Sequence, residues 1–163
     1  MATFQLKEVG ANNTKTLGFT HELVLDINSQ LGTGTGNQDH TLQVGSATMT
    51  GIIESAAILV EELVTDTATS GQITDFTAAL GDNADQDGFV TPTDIFSDSG
   101  NLNKLFSKNG AILKASPFAH ALASGDDLIL RTNATGDGAD GADSGRIRIL
   151  VRYIPDAGVN FSG

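Results

Sequence analysis

The stretch GRIRILVRYI, residues 145–154, decides the fold class, because apolar and polar side chains alternate along it with the period of two that is typical of a strand. One face carries four apolar side chains: Ile147, Ile149, Val151 and Tyr153. The other face carries Arg146, Arg148, Leu150 and Arg152. The pattern predicts a strand with one face on the core and one in water, as in an antiparallel sheet.

The residues before this strand predict its partner. DDLILRT, residues 126–132, is also strand-like, and NATGDGADGADS, residues 133–144, consists of residues that favour turns. Two strands joined by such a segment predict a C-terminal hairpin. After the last strand, PDAGVNFSG, residues 155–163, is predicted to be a loose tail.

The same alternation recurs toward the N-terminus. Strand-like segments there are TFQLKEV (3–9), GFTHELVLDI (18–27), TLQVGSATMTGII (41–53) and GQITDFTAALGD (71–82). ESAAILVEELVT, residues 54–65, has helix-forming residues at its start, but its density of Ile, Leu and Val fits a buried strand equally well. Both interpretations stay open. The spacing of Leu102, Leu105 and Phe106 indicates a short helical turn.

These segments amount to about eight strands without any alternation of strands and helices, so we predict an all-β fold. The expected architecture is an antiparallel β-sandwich of jelly-roll type, ahead of the immunoglobulin type, with few short helical turns. No linker divides the chain, so residues 1–163 are predicted to form a single β-sandwich domain in which residues 1–10 are an N-terminal arm.

Composition and charge exclude several function classes. The formal net charge is −11 with only nine Lys and Arg residues, which argues against binding nucleic acid or an anionic membrane. The acidity fits a basic partner or calcium. No cysteine is present, which excludes disulfides and thiolate metal sites. MATFQLKEVG lacks the pattern of a signal peptide, so we expect a soluble chain made in a cytoplasm.

NADQDGFVTPTD, residues 83–94, resembles a calcium-binding loop in its spacing of oxygen-bearing side chains. With Gly88 at the sixth position, the candidate ligands are Asn83, Asp85, Asp87, the Phe89 carbonyl, Thr91 and Asp94. Asparagine stands where aspartate usually begins such a loop, Asp94 is shorter than the usual closing glutamate, and no helix is predicted on either side. A solvated turn between two strands is the alternative interpretation. Apart from calcium in this loop, no cofactor is predicted.

All four arginines of the chain lie in the two C-terminal strands: Arg131, Arg146, Arg148 and Arg152. By strand parity the last three share a face, and Arg131 is expected across from them. This segregation predicts a contact patch for an acidic partner, since arginine is enriched at interfaces. The alternative is a wet sheet face whose arginines pair with the chain's own carboxylates, and both interpretations stay open.

No arrangement in the sequence is typical of catalysis. The three histidines, His21, His40 and His120, are not spaced as metal ligands, and neither a nucleophile elbow nor a phosphate-binding loop is present. GTGTGN, residues 32–37, has alternating glycines but no following helix, so it is predicted to be a turn. We predict that the chain is not an enzyme.

Three features together resemble a known group of proteins. They are Gly81-Asp82 at the end of a strand, the loop Asp85-x-Asp87-Gly88-Phe89, and the final Tyr153-Ile154. In this pattern the chain resembles small β-sandwich structural proteins of tailed bacteriophages. The resemblance covers roughly the last hundred residues.

The resemblance implies a capsid decoration, or cement, protein. Such a protein would sit on the outer surface of the virion head after assembly in the host cytoplasm. It would bind the major capsid protein, as a homotrimer, and would bind neither nucleic acid nor membrane. One alternative is a trimeric receptor-binding or fibre-tip domain, which should expose aromatic residues, whereas this chain has one tyrosine and no tryptophan. Another is a calcium-dependent carbohydrate-binding module, which requires an ion in the 83–94 loop.

Overall fold

The structure is a computed structural model that describes residues 2–9, 18–27, 31, 35–44, 51–67, 70, 72–96, 99–106, 120–122, 127–136 and 142–155. Ten strands lie in these ranges. In chain order they are β1 (Thr3–Glu8), β2 (His21–Asp26), β3 (Gly36–Val44), β4 (Gly51–Thr65), β5 (Ile73–Gly81), β6 (Val90–Asp94), β7 (Leu105–Phe106), β8 (His120–Leu122), β9 (Leu128–Gly136) and β10 (Ser144–Pro155).

The strands form one nearly closed, barrel-like sheet. Nine of them follow the hydrogen-bonded path β6-β5-β9-β3-β1-β2-β10-β4-β7, and β8 pairs with β4 beside it. All pairs are antiparallel except β1 with β3, which makes the sheet mixed. The ends of the path approach each other, because the Val64 N–H of β4, the strand next to β7, donates to the Ile95 carbonyl after β6 at 2.8 Å. We call β6-β5-β9-β3 the first half and β2-β10-β4-β7 the second half; β1 joins them.

Side chains that point inward from both halves share one hydrophobic core. The inward face of β10 is the apolar face that its alternation predicts, because Ile147, Ile149 and Val151 are fully buried. Strands of the first half contribute to the same core. Its largest fully buried side chains are Leu25, Ile27, Leu31, Leu42, Ile53, Ile58, Leu80, Ile95, Leu128, Leu130 and Ile147.

The outer side of β10 carries a second, smaller apolar cluster. Leu150, predicted to face water, is 0% exposed and is the Cα partner of Ala57 on β4, which is also 0% exposed. Phe19, in the segment before β2, is buried against this pair, with Val9 partly buried beside it. The prediction of a wholly wet outer face was therefore wrong at Leu150, because a segment distant in sequence covers it.

The predicted C-terminal hairpin is also wrong, although both of its strands are present. β9 uses its two hydrogen-bonding edges for β3 and β5, and β10 uses its edges for β2 and β4. The two strands consequently belong to different halves of the sheet. Of the predicted tail, Pro155 ends β10, and residues 156–163 lie outside the described residues. Of the predicted N-terminal arm, residues 3–8 form β1 inside the sheet.

The all-β class predicted from the sequence is confirmed. Residues 54–65 belong to β4, so the helical interpretation of that stretch was wrong. Leu105 and Phe106 form β7 rather than a helical turn, and a 3-10 helix, Ser99–Asn101, precedes them. In the described part of the chain, no helix is long and apolar enough to cross a membrane. Two packed sheets of a jelly roll are not clearly present, because β1 and the Val64–Ile95 contact join both halves into one mixed sheet.

Candidate functional site

The acidic loop connects β5 to β6, and Asp82 closes it. The Asp82 Oδ1 atom accepts hydrogen bonds from the backbone N–H groups of Ala84, at 2.9 Å, and Asp85, at 2.8 Å. The Asp82 N–H donates to the Asp85 carbonyl at 3.0 Å, and the residue is buried. A carboxylate that binds the backbone two and three residues later forms an Asx-type turn. Asp82 thus shapes the loop from inside it.

Three of the predicted calcium ligands besides Asp85 lie within this turn. Asn83 is exposed, and its carbonyl accepts a hydrogen bond from Gln86 Nε2 at 2.7 Å. Phe89 is buried, and its N–H donates to a β5 carbonyl at 2.8 Å, which holds the loop against the strand. The half-buried Asp87 adds to the charges that raise the pKa of Arg131 on β9. The loop is therefore held against β5 by a backbone hydrogen bond, and the charge of Asp87 acts on Arg131 of β9.

The last two predicted ligands are part of β6. Thr91 is exposed, and Asp94 ends the strand. The Asp94 Oδ1 atom accepts a hydrogen bond from the Phe96 N–H at 2.8 Å, and the Asp94 carbonyl accepts one from Asn101 Nδ2 at 2.8 Å. Asp94 therefore fixes the chain where it leaves the strand.

The structure divides the predicted ligands between a turn and a strand. Among the described residues, no group of three or more His, Cys, Asp or Glu side chains is arranged to hold a metal ion. Calcium binding by Asn83, Asp85, Asp87, Thr91 and Asp94 stays a prediction, and it would require these side chains to converge.

From the solvated-turn interpretation we expect millimolar calcium to leave the Tm unchanged, because the predicted ligands are divided between a turn and a strand and the Asp94 carboxylate already binds a backbone amide. Thermal unfolding at increasing calcium, with magnesium as the control ion, measures this directly. An ion present at about 100 times its Kd would add about 2.7 kcal/mol of stability. A calcium-specific rise of that size, lost in Asp87→Asn, would contradict the expectation and establish the loop as an ion site.

Arg131 does not lie with the other arginines, because it belongs to β9 in the first half. It faces its Cα partner Asp39 on β3, and the two side chains form a double hydrogen bond of 2.7 and 2.8 Å. This hydrogen bond lowers the pKa of Asp39 and raises the pKa of Arg131. Paired bonds of this geometry are among the stronger contacts of arginine.

The arginines of β10 pair with carboxylates on both neighbouring strands. Arg148 lies between Glu22 of β2 and Glu61 of β4, with N–O distances of 2.8 and 2.6 Å. Burial works to lower the pKa of Arg148, but the hydrogen bonds and charges of Glu61 and Glu22 outweigh it and raise the pKa. Two other pairs flank this triad along β10: Arg146–Asp26 at 2.7 Å and Arg152–Glu54 at 2.6 Å.

We call this arrangement on the outer side of β2, β10 and β4 the ion-pair face. Its members are Glu22, Asp26, Glu54, Glu61, Arg146, Arg148 and Arg152. The pairing with the chain's own carboxylates is the alternative that the sequence left open. Exposed pairs of this kind each contribute only about 0–1 kcal/mol, so the face orients side chains more than it stabilises the fold. Use of the arginines by a partner stays a prediction.

Sequence reasoning missed Thr20, whose side chain binds the backbone of β10 next to a shift in its register. The register of β10 with β4 shifts between Arg152 and Tyr153. At this point the Tyr153 N–H donates to the Thr20 hydroxyl oxygen at 2.9 Å, and the same oxygen lies 2.8 Å from His21 Nδ1. A threonine before a strand carries no signal of such a contact, because only the fold brings Thr20 to the shifted register.

An open cavity of about 630 Å³ lies beside Thr20, where β1, β2 and β10 meet. Its lining combines apolar groups with one guanidinium, one carboxylate and one imidazole: Glu8, Val9, Gly18, Phe19, Thr20, His21, Val44, Arg152 and Tyr153. His21 contacts Tyr153 edge to face, with ring centroids 5.7 Å apart. The lining therefore includes the buried His21, whose Cα partner is Glu8 at the end of β1.

Comparison with known proteins found no matching family model, no matching curated protein and no matching solved structure. The assignment of a function therefore depends on the residues of the chain itself and on the geometry described above.

Proposed function

We propose that the chain is a non-enzymatic structural protein of a tailed-phage virion. In this role it is a decoration, or cement, protein that binds the outer surface of the head and stabilises it. Its partner is the major capsid protein, its assembly is a homotrimer formed in the host cytoplasm, and it needs no cofactor.

The construction of the turn between β5 and β6 carries the proposal. The phage resemblance depends on Gly81-Asp82 and on the loop that ends at Gly88-Phe89, and these residues have architectural roles. A Cβ on Gly81 would lie 1.9 Å from the Asp85 carbonyl oxygen, Asp82 caps the turn, and Phe89 enters the core. Because these residues shape the backbone, the motif fits a structural role for the chain.

The proposal includes the jelly-roll arrangement expected from the sequence. One core cluster is shared by strands of both halves, as the two sheets of a sandwich would share it. A jelly roll requires the two halves to face each other as separate sheets, and a continuous barrel would exclude it.

A mixed apolar and charged patch on the outer side of the second half supports the contact with the coat. Ile52 of β4 and Ile154 of β10 are Cα partners and are 39% and 44% exposed. Arg152 lies two residues from Ile154, and its side chain is 52% exposed, more than those of the other arginines. Apolar residues beside arginine are typical of protein interfaces. We propose that this patch binds the major capsid protein.

Attachment to decoration-free capsids tests the proposal. The purified chain should co-sediment with such capsids, and Arg152→Glu or Ile154→Asp should weaken attachment at least tenfold, which is about 1.4 kcal/mol. Lys104→Glu is the matched control, because it reverses an exposed charge before β7, outside the patch. Equal Tm values show that the variants remain folded. A wild-type chain that does not bind capsids overturns the function, whereas unaffected binding by both patch variants overturns only the proposed contact.

A further inference from the structure

β1 is the seam of the sheet, because it alone joins the two halves along the hydrogen-bonded path. It pairs with β3 through four residues and with β2 through two. The first of these pairings is the parallel one, which is slightly less stable per residue than an antiparallel pair. Leu6 is its one buried side chain. β1 is therefore held by one buried apolar side chain and by two short pairings, one of them parallel.

A buried histidine lies on the β3 side of this seam. His40 is 4% exposed and points inward among core residues. Its Nε2 atom lies 3.3 Å from the hydroxyl of Thr132, and its Nδ1 atom is buried without a hydrogen-bond partner among the described residues. The ring also contacts Phe4 of β1, with centroids 5.7 Å apart. His40 thus packs against β1. A second proton on its imidazole would have no hydrogen-bond acceptor among the described residues.

A second buried histidine lies on the β2 side. His21 is 8% exposed, and its Cα partner is Glu8, the last residue of β1. Its Nδ1 atom contacts the Thr20 hydroxyl at 2.8 Å, and its ring packs against Tyr153. Both edges of β1 therefore meet a buried imidazole.

We propose that His21 and His40 form an acid-sensitive latch on β1: protonation of the two imidazoles releases this strand and opens the sheet between its halves. The physical reason is that an imidazolium buried without adequate compensation is costly, while exposure to water removes that cost. This inference goes beyond the capsid proposal and does not depend on it.

The charged groups around each imidazole offset this cost only in part. Near His40, Asp39 is already paired with Arg131 of β9. Burial is the main cause that lowers the pKa of His40, and Asp39 opposes it. Near His21, Arg152 lines the same cavity, and burial lowers the pKa of His21 more than Glu8 raises it.

The direction of the pH effect follows from these shifts. Because both histidines bind protons less readily in the folded chain than in the unfolded chain, their stabilisation is complete above a pH of about 6.5 and is lost as the pH falls below it. Each contributes up to about tenfold per pH unit to the opening equilibrium. The lowered pKa of Asp39 acts in a separate window, below a pH of about 4. Between pH 6.5 and 4.5 the histidines therefore dominate.

Hydrogen exchange followed by mass spectrometry tests the latch. All proteins carry His120→Gln, so that His21 and His40 are the only histidines, and exchange at pH 7.5 and 5.5 is corrected for the intrinsic rate. We expect protection of the β1 amides to fall about tenfold or more at the lower pH, while β5 and β9 remain protected. The double variant with His21→Gln and His40→Gln should lose this difference.

Two results would overturn the latch: unchanged β1 protection at pH 5.5, or an equal loss in the double variant. If the double variant does not fold, NMR titration of the two imidazoles in the His120→Gln protein decides instead. Titration of both below a pH of about 6.5, in step with loss of β1 protection, supports the latch. Titration at or above that pH with β1 still protected overturns it.

Discussion

Replacing Leu150 by alanine should lower the free energy of unfolding by about 2–5 kcal/mol, the range for a fully buried leucine. Leu150 is 0% exposed although it lies on the face of β10 that also carries the arginines. Its burial depends on Phe19, which covers it together with Ala57. The loss should appear as a lower midpoint of urea unfolding with an unchanged slope.

Val24→Ala is the matched control, because Val24 also lies on the outer side of the second half but is 38% exposed. Its expected cost is about 0.5 kcal/mol or less. Phe19→Ala should cost about 3–5 kcal/mol. The double variant of Phe19 and Leu150 should lose less than the sum by at least about 0.5 kcal/mol, since the two side chains share one cluster. A Leu150→Ala variant as stable as Val24→Ala would show that the outer face is wet.

Gly81→Ala should destabilise the chain by about 3 kcal/mol or more, at the upper end of the cost of overpacking. An added Cβ would lie 1.9 Å from the Asp85 carbonyl oxygen, and the atoms it meets belong to the backbone. The turn cannot yield cheaply, because the Asp85 carbonyl accepts hydrogen bonds from the N–H groups of Asp82 and Gly88. Chemical denaturation again measures the loss.

Gly36→Ala provides the comparison for this second prediction. Gly36 has a φ of +85° but nothing within 4 Å of an added Cβ, so only backbone strain of about 1–2 kcal/mol applies. If Gly81→Ala costs no more than Gly36→Ala, the β5–β6 turn does not approach Gly81 closely in the folded chain, and the observation that carries the capsid proposal fails with it.

The acidic loop and the arginines show where the sequence left a choice that packing then made. Oxygen-bearing residues at alternate positions suit both a cation and a turn, and only the placement of Asp82 and Asp94 against backbone amides favours the turn. Strand parity correctly placed Arg146, Arg148 and Arg152 on one face. It could not reveal that Glu22, Glu54 and Glu61 would lie opposite them, because those carboxylates belong to strands that are distant in sequence.

The sequence by itself determined the all-β class, most of the strands and the inward face of β10, because the alternation of side chains across a strand is a local property of the backbone. Only the tertiary structure decided which strands are neighbours, that β9 and β10 lie in different halves, and that Leu150 is buried. Each strand has two equivalent hydrogen-bonding edges, and the choice of partner depends on long-range packing. The same packing places His21 and His40 on either side of β1, which no local pattern in the sequence could indicate.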